Sequence, residues 1–355
     1  MAYATITKPS SHFSCTLHTG TGSTQQITTG LNMSANGGMV WNKLRSGSNN
    51  HVMWDTIRTA TKTIYPDLNI GEATEATSLT AFTTTGWTGG GGGNTNGNGS
   101  TYASWNWLAG SSHSGTSNND GTIATTVSVN TTAGFSIVKW TGTGSAGTIG
   151  HGLGAVPKTI WVKKTSQGDD WFIWHEALGA QGKINLNNSN AKQNDTGYWN
   201  NTLPTNQVFS VVGNGANNAS GQTFIAYCFT NITGYSNFGT YIGNGSSSTA
   251  PFVGGTFVYT GFKPAFVMGK YIDGSGDWYL WDSKRLGYNR DNNKIKPNTN
   301  GAETTEDWID LYANGFKFFN NSGDFNYAGY SFLYMAFAEE PLVANVGQSI
   351  PATAR

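Results

Sequence analysis

The sequence predicts an all-β protein with minor short helices, arranged as three tandem β-sandwich or jelly-roll-like repeats of about 100 residues. The chain of 355 residues contains 48 glycines and only 11% charged residues. Runs of about five to seven apolar or β-branched residues alternate with Gly, Asn and Ser, which is typical of short antiparallel strands joined by tight turns. The same landmarks also recur three times in one order, which indicates an internal repeat.

The clearest landmark is a tryptophan-rich stretch. It reads HVMWDTIR at 51–58, DDWFIWHEALG at 169–179 and GDWYLWDSKRLG at 276–287. Its equivalent tryptophans are separated by 120 and 107 positions: Trp54, Trp174 and Trp281. An apolar run upstream of each copy ends in a lysine, with the same two separations: Lys43, Lys163 and Lys270. An aromatic strand closes each unit, with separations of 122 and 108 positions: Trp107, Phe229 and Phe337.

These landmarks divide the chain into six segments. A leader covers 1–11, and repeat one covers 12–110. A Ser/Thr/Asn-rich linker follows at 111–133, and the alternation of apolar and polar residues at 122–129 predicts that it adds an edge strand. Repeat two covers 134–233 and repeat three covers 234–340. An extended C-terminal tail covers 341–355.

Two local patterns refine the prediction. The closing strands of repeats two and three, at 223–229 and 331–337, are largely apolar at both odd and even positions, which predicts burial on both faces. Short helices are predicted at 71–82 and 302–312, and in the second segment Ile309, Leu311 and Tyr312 can face a core on one helical turn. The matching part of repeat two contains Gly197 and Pro204, which are poor helix formers, and predicts no helix.

Charge and composition limit the class of protein. The 20 basic and 20 acidic residues give a net charge of +0, which argues against a nucleic-acid partner. The sequence has no apolar run of 18 residues and therefore predicts no membrane insertion. The N-terminal residues MAYATITKPS lack the features of a secretory signal, which predicts synthesis in a cytoplasm. Cys15 and Cys228 occupy non-equivalent positions and are predicted to be buried thiols, with a single disulfide as the alternative.

Motifs that carry chemistry are weak. The run 142–147 fits the spacing GxGxxG, but the residues after it do not predict a helix, so a turn is favoured over a dinucleotide site. Asp273 and Asp277 flank glycines between two predicted strands, which favours a hairpin turn over a calcium site. No histidine pair has zinc-ligand spacing, and no carboxylate pair recurs with the repeat. We therefore expect no catalytic residue, no metal and no cofactor.

The tryptophan stretches contain the candidate binding residues. Repeats one and three share the spacing WDxxR, whereas repeat two has a histidine in place of the aspartate and Leu178 in place of the arginine. In the favoured interpretation, aspartate and arginine bridge across a strand end and fix the loop. In the functional interpretation, the indole stacks on a sugar ring while polar groups bind its hydroxyls. The candidate residues are Trp54, Asp55, Arg58, Trp174, His175, Trp281, Asp282 and Arg285.

Several longer stretches resemble a repeat family that is abundant in structural proteins of marine bacteriophages, including cyanophages. They include GTIATTVSVNTTAGFSIV at 121–138, TGTGSAGTIGHGLGAVP at 141–157, YWNNTLPTNQVF at 198–209 and TFIAYCF at 223–229. The stretches FVYTGFKPAFVM at 257–268, WDSKRLGYN at 281–289 and YMAFAEEP at 334–341 belong to the same set. The resemblance covers the chain from about residue 37 onward. It implies a location in the virion, with synthesis in the host cytoplasm, and it carries over no catalytic residue.

The expected function is therefore that of a non-enzymatic virion structural protein, in a tail fibre or surface appendage that contributes to host attachment. The expected partners are other copies of the chain, other virion proteins and host surface polysaccharide. Because virion proteins usually assemble symmetrically, the expected oligomer is a homotrimer or a ring. Two alternatives remain open. One is a purely architectural decoration or filament-forming subunit, whose tail at 341–355 would dock on a neighbour's sheet edge. The other is a depolymerase that cleaves a host glycan.

Overall fold

The computed structural model describes residues 4–110, 112–246, 254–285, 289, 292–306 and 308–340. Within these residues almost all regular structure is antiparallel β-strand. The helical elements are two α-helices of four residues and two short 3₁₀ turns, Pro9–Ser11 and Glu176–Leu178. The all-β prediction with minor short helices is confirmed. The tail predicted at 341–355 lies outside the described residues.

Repeat one folds into a larger and a smaller sheet. Its elements are β1 (Phe13–Thr19), β2 (Gln25–Thr28), α1 (Met33–Asn36), β3 (Gly38–Leu44), β4 (Val52–Asp55), β5 (Lys62–Thr63), β6 (Ala73–Thr74), β7 (Leu79–Thr83), β8 (Gly86–Gly89) and β9 (Thr101–Leu108). The larger sheet has the order β1-β9-β3-β4, and the smaller has the order β2-β8-β7. Strands β5 and β6 pair separately.

The linker and repeat two form the widest sheet. Their elements are β10 (Thr116–Asn118), β11 (Thr125–Asn130), β12 (Phe135–Thr141), β13 (Gly147–Gly150), β14 (Thr159–Lys164), β15 (Phe172–His175), β16 (Gly182–Asn185), β17 (Gln193–Asn194), α2 (Thr196–Trp199), β18 (Val208–Val211) and β19 (Thr223–Phe229). The wide sheet has the order β10-β11-β12-β19-β14-β15-β16-β17, and β13 pairs with β18.

Repeat three returns to the plan of repeat one. Its elements are β20 (Ser236–Ile242), β21 (Phe257–Tyr259), β22 (Phe266–Tyr271), β23 (Trp278–Asp282), β24 (Asn292–Lys294), β25 (Thr304–Glu306), β26 (Ile309–Tyr312), β27 (Gly315–Phe318) and β28 (Ser331–Phe337). The larger sheet has the order β20-β28-β22-β23, and the smaller has the order β21-β27-β26. Strands β24 and β25 pair separately.

The same four-strand arrangement therefore occurs three times, as β1-β9-β3-β4, β12-β19-β14-β15 and β20-β28-β22-β23. The register also matches, because the last aromatic residue of each closing strand pairs with the start of the next strand in the sheet. The pairs are Trp107 with Met39, Phe229 with Thr159, and Phe337 with Phe266.

One hydrophobic core lies between the three larger sheets. The side chains on one face of each closing strand enter it, and the last of these meet as a triangle of rings. The centroid of Trp107 lies 6.3 Å from that of Phe229 and 5.5 Å from that of Phe337, and the Phe229 and Phe337 centroids lie 5.8 Å apart. Aromatic pairs at this distance contribute roughly 0.5–1.5 kcal/mol beyond burial. The three repeats therefore share a core.

Each repeat also has an outer core, between its larger and smaller sheets. In repeat two, Phe224, Ala226 and Cys228 on the outer face of β19 pack with Ile149 and Phe209 of the smaller sheet. Repeat three has the same arrangement, with Phe332, Tyr334, Ala336, Val258 and Phe316. The prediction that these closing strands are buried on both faces is confirmed. Cys15 and Cys228 are free and buried, as predicted.

The two predicted helices are wrong. Residues 71–82 contain β6 and the start of β7, and residues 302–312 contain β25 and β26. In the second segment Ile309 and Leu311 are buried in the outer core, so the apolar period is that of a strand rather than a helix. Repeat two instead forms the short helix α2, because Asp195 caps its N-terminus and the indole of Trp199 donates to Gly182 O (3.0 Å).

The connecting segments are also structured. Strand β11 contains most of the alternating stretch of the linker and pairs with both β10 and β12, so β10 rather than β11 takes the edge. In the leader, Ile6 is buried in the shared core. The GxGxxG run forms the turn between β12 and β13, with no helix after it. A Cβ on Gly142 would lie 2.1 Å from Ala219 O, and this close approach explains why glycine is needed there.

Candidate functional site

The eight residues predicted from the tryptophan stretches all lie in the interior. None is more than 5% exposed, and the three tryptophans belong to the outer cores. The indole rings pack between the larger and smaller sheets of their own repeats, which leaves no ring face open to solvent. A sugar cannot reach these indoles in this structure, and we do not propose them as a ligand site.

The aspartate and arginine of repeats one and three bridge a strand end, as the structural interpretation predicts. Arg58 donates to Asp55 from its backbone N–H (2.9 Å) and from Nε (2.5 Å). Arg285 donates to Asp282 in the same way, at 3.0 and 2.6 Å. Burial alone would raise the pKa of Asp282, but Arg285 holds that pKa below its usual value.

Each of these aspartates also joins two repeats. The hydroxyl of Tyr227, in repeat two, donates to Asp55 Oδ2 of repeat one (2.7 Å). The indole of Trp105, in repeat one, donates to Asp282 Oδ2 of repeat three (2.9 Å). The equivalent position in repeat three is Met335, which has no such donor, and the acceptor position of repeat two is His175. The third hydrogen bond of this kind, from repeat three to repeat two, is therefore missing, because both its donor and its acceptor are replaced.

Each arginine also pairs with a glutamate, and repeat two lacks both the arginine and the glutamate. Arg58 Nη1 lies 3.1 Å from Glu72, and Arg285 Nη1 lies 3.1 Å from Glu303. In repeat two, Leu178 stands at the arginine position and Lys192 at the glutamate position. Burial lowers the pKa of His175 to about 4, so the imidazole is neutral at pH 7. Repeat two therefore keeps the shape of this region without its buried charges.

A second set of hydrogen bonds joins all three repeats in a ring. The indole of Trp171 donates to Tyr65 O (2.8 Å), and that of Trp278 donates to Asn185 O (2.7 Å). His51 takes the equivalent place, with Nε2 at 3.1 Å from Lys296 O. Trp41 donates to His51 Nδ1 (2.9 Å), which leaves the ring proton on Nε2 as the donor. The sequence aligns these three positions but does not show that each donates to a backbone carbonyl of a neighbouring repeat.

The landmark lysines are buried on the face that points to the shared core. Their amines donate to backbone carbonyls: Lys43 to Leu44 O (2.8 Å) and Asn300 O (3.3 Å), Lys270 to Tyr271 O (2.6 Å) and Ser189 O (3.4 Å), and Lys163 to Asp169 O. Burial lowers the pKa of each to about 8. Two of the three reach into a neighbouring repeat, so we assign them to the framework.

The surface differs sharply between repeats. Among the described residues, the exposed aromatic side chains all belong to repeat three: Phe257, Tyr259, Tyr327 and Tyr330, at 45%, 65%, 48% and 37% exposure. Phe257 and Tyr259 project from the outer face of the smaller sheet. Tyr327 and Tyr330 lie in the turn before β28, with ring centroids 4.6 Å apart.

The matching positions of the other repeats show that the fold does not need these rings. Val258 of β21 corresponds to Ile27 of β2 and Ile149 of β13, since each pairs with the buried aromatic of the adjacent strand. The residues that flank Val258 therefore correspond to Gln26 and Thr28 in repeat one, and to Thr148 and Gly150 in repeat two. The landmarks that define the repeats are buried positions and do not predict this surface. The outward positions do, because they are aromatic in repeat three alone.

The described part of the chain contains no group of three or more His, Cys, Asp or Glu side chains placed to hold a metal ion. None of its helices is long and apolar enough to cross a membrane.

Comparison with known proteins gives one family and no closer relative. Searches of curated proteins and of solved structures found no match. Residues 8–341 match a family described as a domain of unknown function, DUF7483. The match spans all three repeats and the linker, and the chain therefore belongs to the DUF7483 family.

Proposed function

We propose that this protein is a non-enzymatic structural component of a bacteriophage virion, in a tail fibre or surface appendage, and that it contributes to host attachment by binding surface polysaccharide. The observation that carries the proposal is the pair of adjacent, exposed rings of Tyr327 and Tyr330 at one end of repeat three, where the other repeats have no aromatic residue. Groups of exposed aromatic rings mark interaction sites, because soluble proteins rarely keep contiguous apolar patches in contact with water. A virion location is supported by the phage-like motifs alone.

The architecture fits this role. The residues that recur in the three repeats form the shared and outer cores and the hydrogen bonds between repeats, and these contacts make a rigid framework. The Asp–Arg pairs of the WDxxR stretches belong to that framework. Recognition is then left to positions where one repeat departs from the other two.

The direct test is attachment of the purified full-length chain to marine cyanobacterial cells and to polysaccharide extracted from their surface. Binding to both is expected. The proposal fails if the protein binds neither cells nor extracted polysaccharide while remaining folded.

The two alternatives predict other results. A depolymerase would release sugar fragments from the extracted polysaccharide, measured as new reducing ends. An architectural subunit would assemble by itself into open filaments or sheets, visible by electron microscopy, whereas an attachment protein is expected to form a closed oligomer such as a homotrimer.

A further inference from the structure

The turns at one end of repeat three bring together side chains that the other repeats lack. Tyr271 ends β22 and is followed by Asp273, while Tyr327 and Tyr330 lie in the turn before β28. Resting on the attachment function above, we propose that these four residues, with Lys192 of repeat two beside them, bind an uncharged saccharide that carries neighbouring hydroxyl groups. We call the five residues the tyrosine tip.

Asp273 replaces a serine that caps the closing strand in the other two repeats. In repeats one and two the first N–H of the closing strand is capped by a serine: Thr101 N–H donates to Ser46 Oγ (3.1 Å), and Thr223 N–H donates to Ser166 Oγ (3.0 Å). In repeat three, Ser331 N–H donates to Asp273 Oδ2 (2.7 Å). A serine is sufficient for this cap, so the aspartate adds a second, charged oxygen that the fold does not require.

That carboxylate is ionised and accessible. Burial alone would raise the pKa of Asp273, but the Ser331 N–H and Lys192 hold it below its usual value. The side chain is 34% exposed, which leaves its oxygens within reach of a ligand. A carboxylate accepts several hydrogen bonds at once and suits a pair of adjacent hydroxyls.

The tyrosines form a continuous row. The Tyr271 and Tyr330 rings stack with centroids 4.9 Å apart and planes 11° apart, and Tyr327 lies against Tyr330 at 4.6 Å. The equivalents of Tyr271 are Leu44 and Lys164, which share its register against the closing strand. Tyr330 corresponds to Ser100 and Gln222, and Tyr327 to Gly97 and Ala219. Three independent positions thus change to tyrosine in one repeat.

The chemistry of the tip is amphipathic and without net charge. Lys192 Nζ lies 3.7 Å from Asp273 Oδ1, and its backbone N–H donates to Ile272 O (3.1 Å), which places repeat two against this turn. The ion pair balances its own charge and does not attract an anion. Phenol rings offer an apolar face and a hydroxyl, as a pyranose offers an apolar C–H face and hydroxyls. An uncharged saccharide matches both properties.

The test replaces tip residues by those that the other repeats carry at the same positions. Asp273→Ser, Tyr330→Gln and Tyr327→Ala are compared with wild type for binding to immobilised dextran, mannan, galactan and the sulfated polysaccharide carrageenan, and to cyanobacterial cells. Tyr259→Thr, which introduces the residue of repeat one, is the matched control on the sheet face. Thermal denaturation shows whether each variant is folded.

We expect at least one uncharged polysaccharide to bind. Binding should weaken about tenfold or more in Asp273→Ser and Tyr330→Gln, and should not change in Tyr259→Thr. Periodate treatment, which cleaves adjacent hydroxyls, should abolish binding to the polysaccharide concerned.

Three results would overturn the inference. If cells or polysaccharides bind and the folded tip variants bind equally well, attachment occurs elsewhere and only the tip assignment falls. If only carrageenan binds, with an affinity that falls with salt, the ligand class is wrong. If wild type binds no polysaccharide and no cells, the attachment function itself fails, and the tip assignment falls with it.

Discussion

Repeat two and repeat three place the same backbone around the shared core but differ in what they bury beside it. In repeat three, Arg285 pairs with Asp282 and Glu303. Asp282 also accepts a hydrogen bond from Trp105 of repeat one, and Glu303 pairs with Arg45 of repeat one. Repeat two has His175, Leu178 and Lys192 at those positions. The difference shows that the charged group is a set of interdependent residues: the fold forms with the whole set or without it, and a partial set would leave a buried charge unpaired.

The largest expected effect comes from breaking the set in repeat three. Asp282→Ala leaves the Arg285 guanidinium and the Trp105 N–H buried without their acceptor, and should lower the free energy of unfolding by about 3–5 kcal/mol. Arg45 of repeat one must change as well, because it pairs with Glu303 at 2.9 Å. Conversion of the set and its repeat-one partners to the residues found around repeat two (Asp282→His, Arg285→Leu, Glu303→Lys, Trp105→Met and Arg45→Ile) should cost less than the single change. Denaturant unfolding measures both. If the conversion lowers the free energy of unfolding by more than Asp282→Ala does, the residues of the set also depend on contacts outside it.

His175 should make repeat two sensitive to acid. Its pKa is about 4 in the folded chain and about 6.5 in the unfolded chain. The unfolded state therefore binds more protons between these values, and stability is lost as the pH falls from about 6.5 to about 4. His175→Met should remove roughly 1–3 kcal/mol of this loss, measured by denaturant unfolding at pH 7 and pH 4.5. If the free energy of unfolding falls equally between pH 7 and pH 4.5 in variant and wild type, His175 is not a neutral, buried imidazole.

Asp67 offers a third comparison. It accepts the His51 N–H (3.1 Å), as Asn187 accepts the Trp171 N–H and Asn298 accepts the Trp278 N–H. Burial raises the pKa of Asp67 to about 7. Its folded pKa exceeds the unfolded value, so it costs stability increasingly as the pH rises from about 4 to about 7.

The residue of the other repeats should therefore be better at this position. Asp67→Asn is expected to stabilise the chain by roughly 1–2 kcal/mol at pH 8 and by less at pH 5. Thermal or denaturant unfolding at the two pH values measures the gain. Destabilisation at pH 8 would mean that the carboxylate is held by interactions that offset its burial.

The smallest expected effect lies on the surface of repeat three. Tyr259→Thr and Tyr330→Gln change exposed side chains to those of another repeat, and should alter the free energy of unfolding by no more than about 0.5 kcal/mol. A loss above about 2 kcal/mol for Tyr330→Gln would indicate that this ring serves the fold rather than binding.

Much of the framework was predictable because it depends on local periodicity. The all-β class, the doubly buried strands and the buried thiols follow from alternation and composition. The helices predicted at 71–82 and 302–312 failed because short apolar runs fit both periods, and packing of Ile309 and Leu311 against the outer core decided for strands. The sugar interpretation of Trp54 and Trp281 failed for a related reason, because a WDxxR spacing does not show which side of a sheet is covered.

Residue types and their spacing along the chain are enough to predict the strand pattern, the repeated landmarks and the low charge of this protein. Three-dimensional packing was needed to bring Trp107, Phe229 and Phe337 together in one core, and to bring Tyr227 and Trp105 within hydrogen-bond distance of aspartates of another repeat. It also decided that the exposed rings gather on repeat three. These outcomes depend on how three sheets pack, which brings together residues more than 100 positions apart.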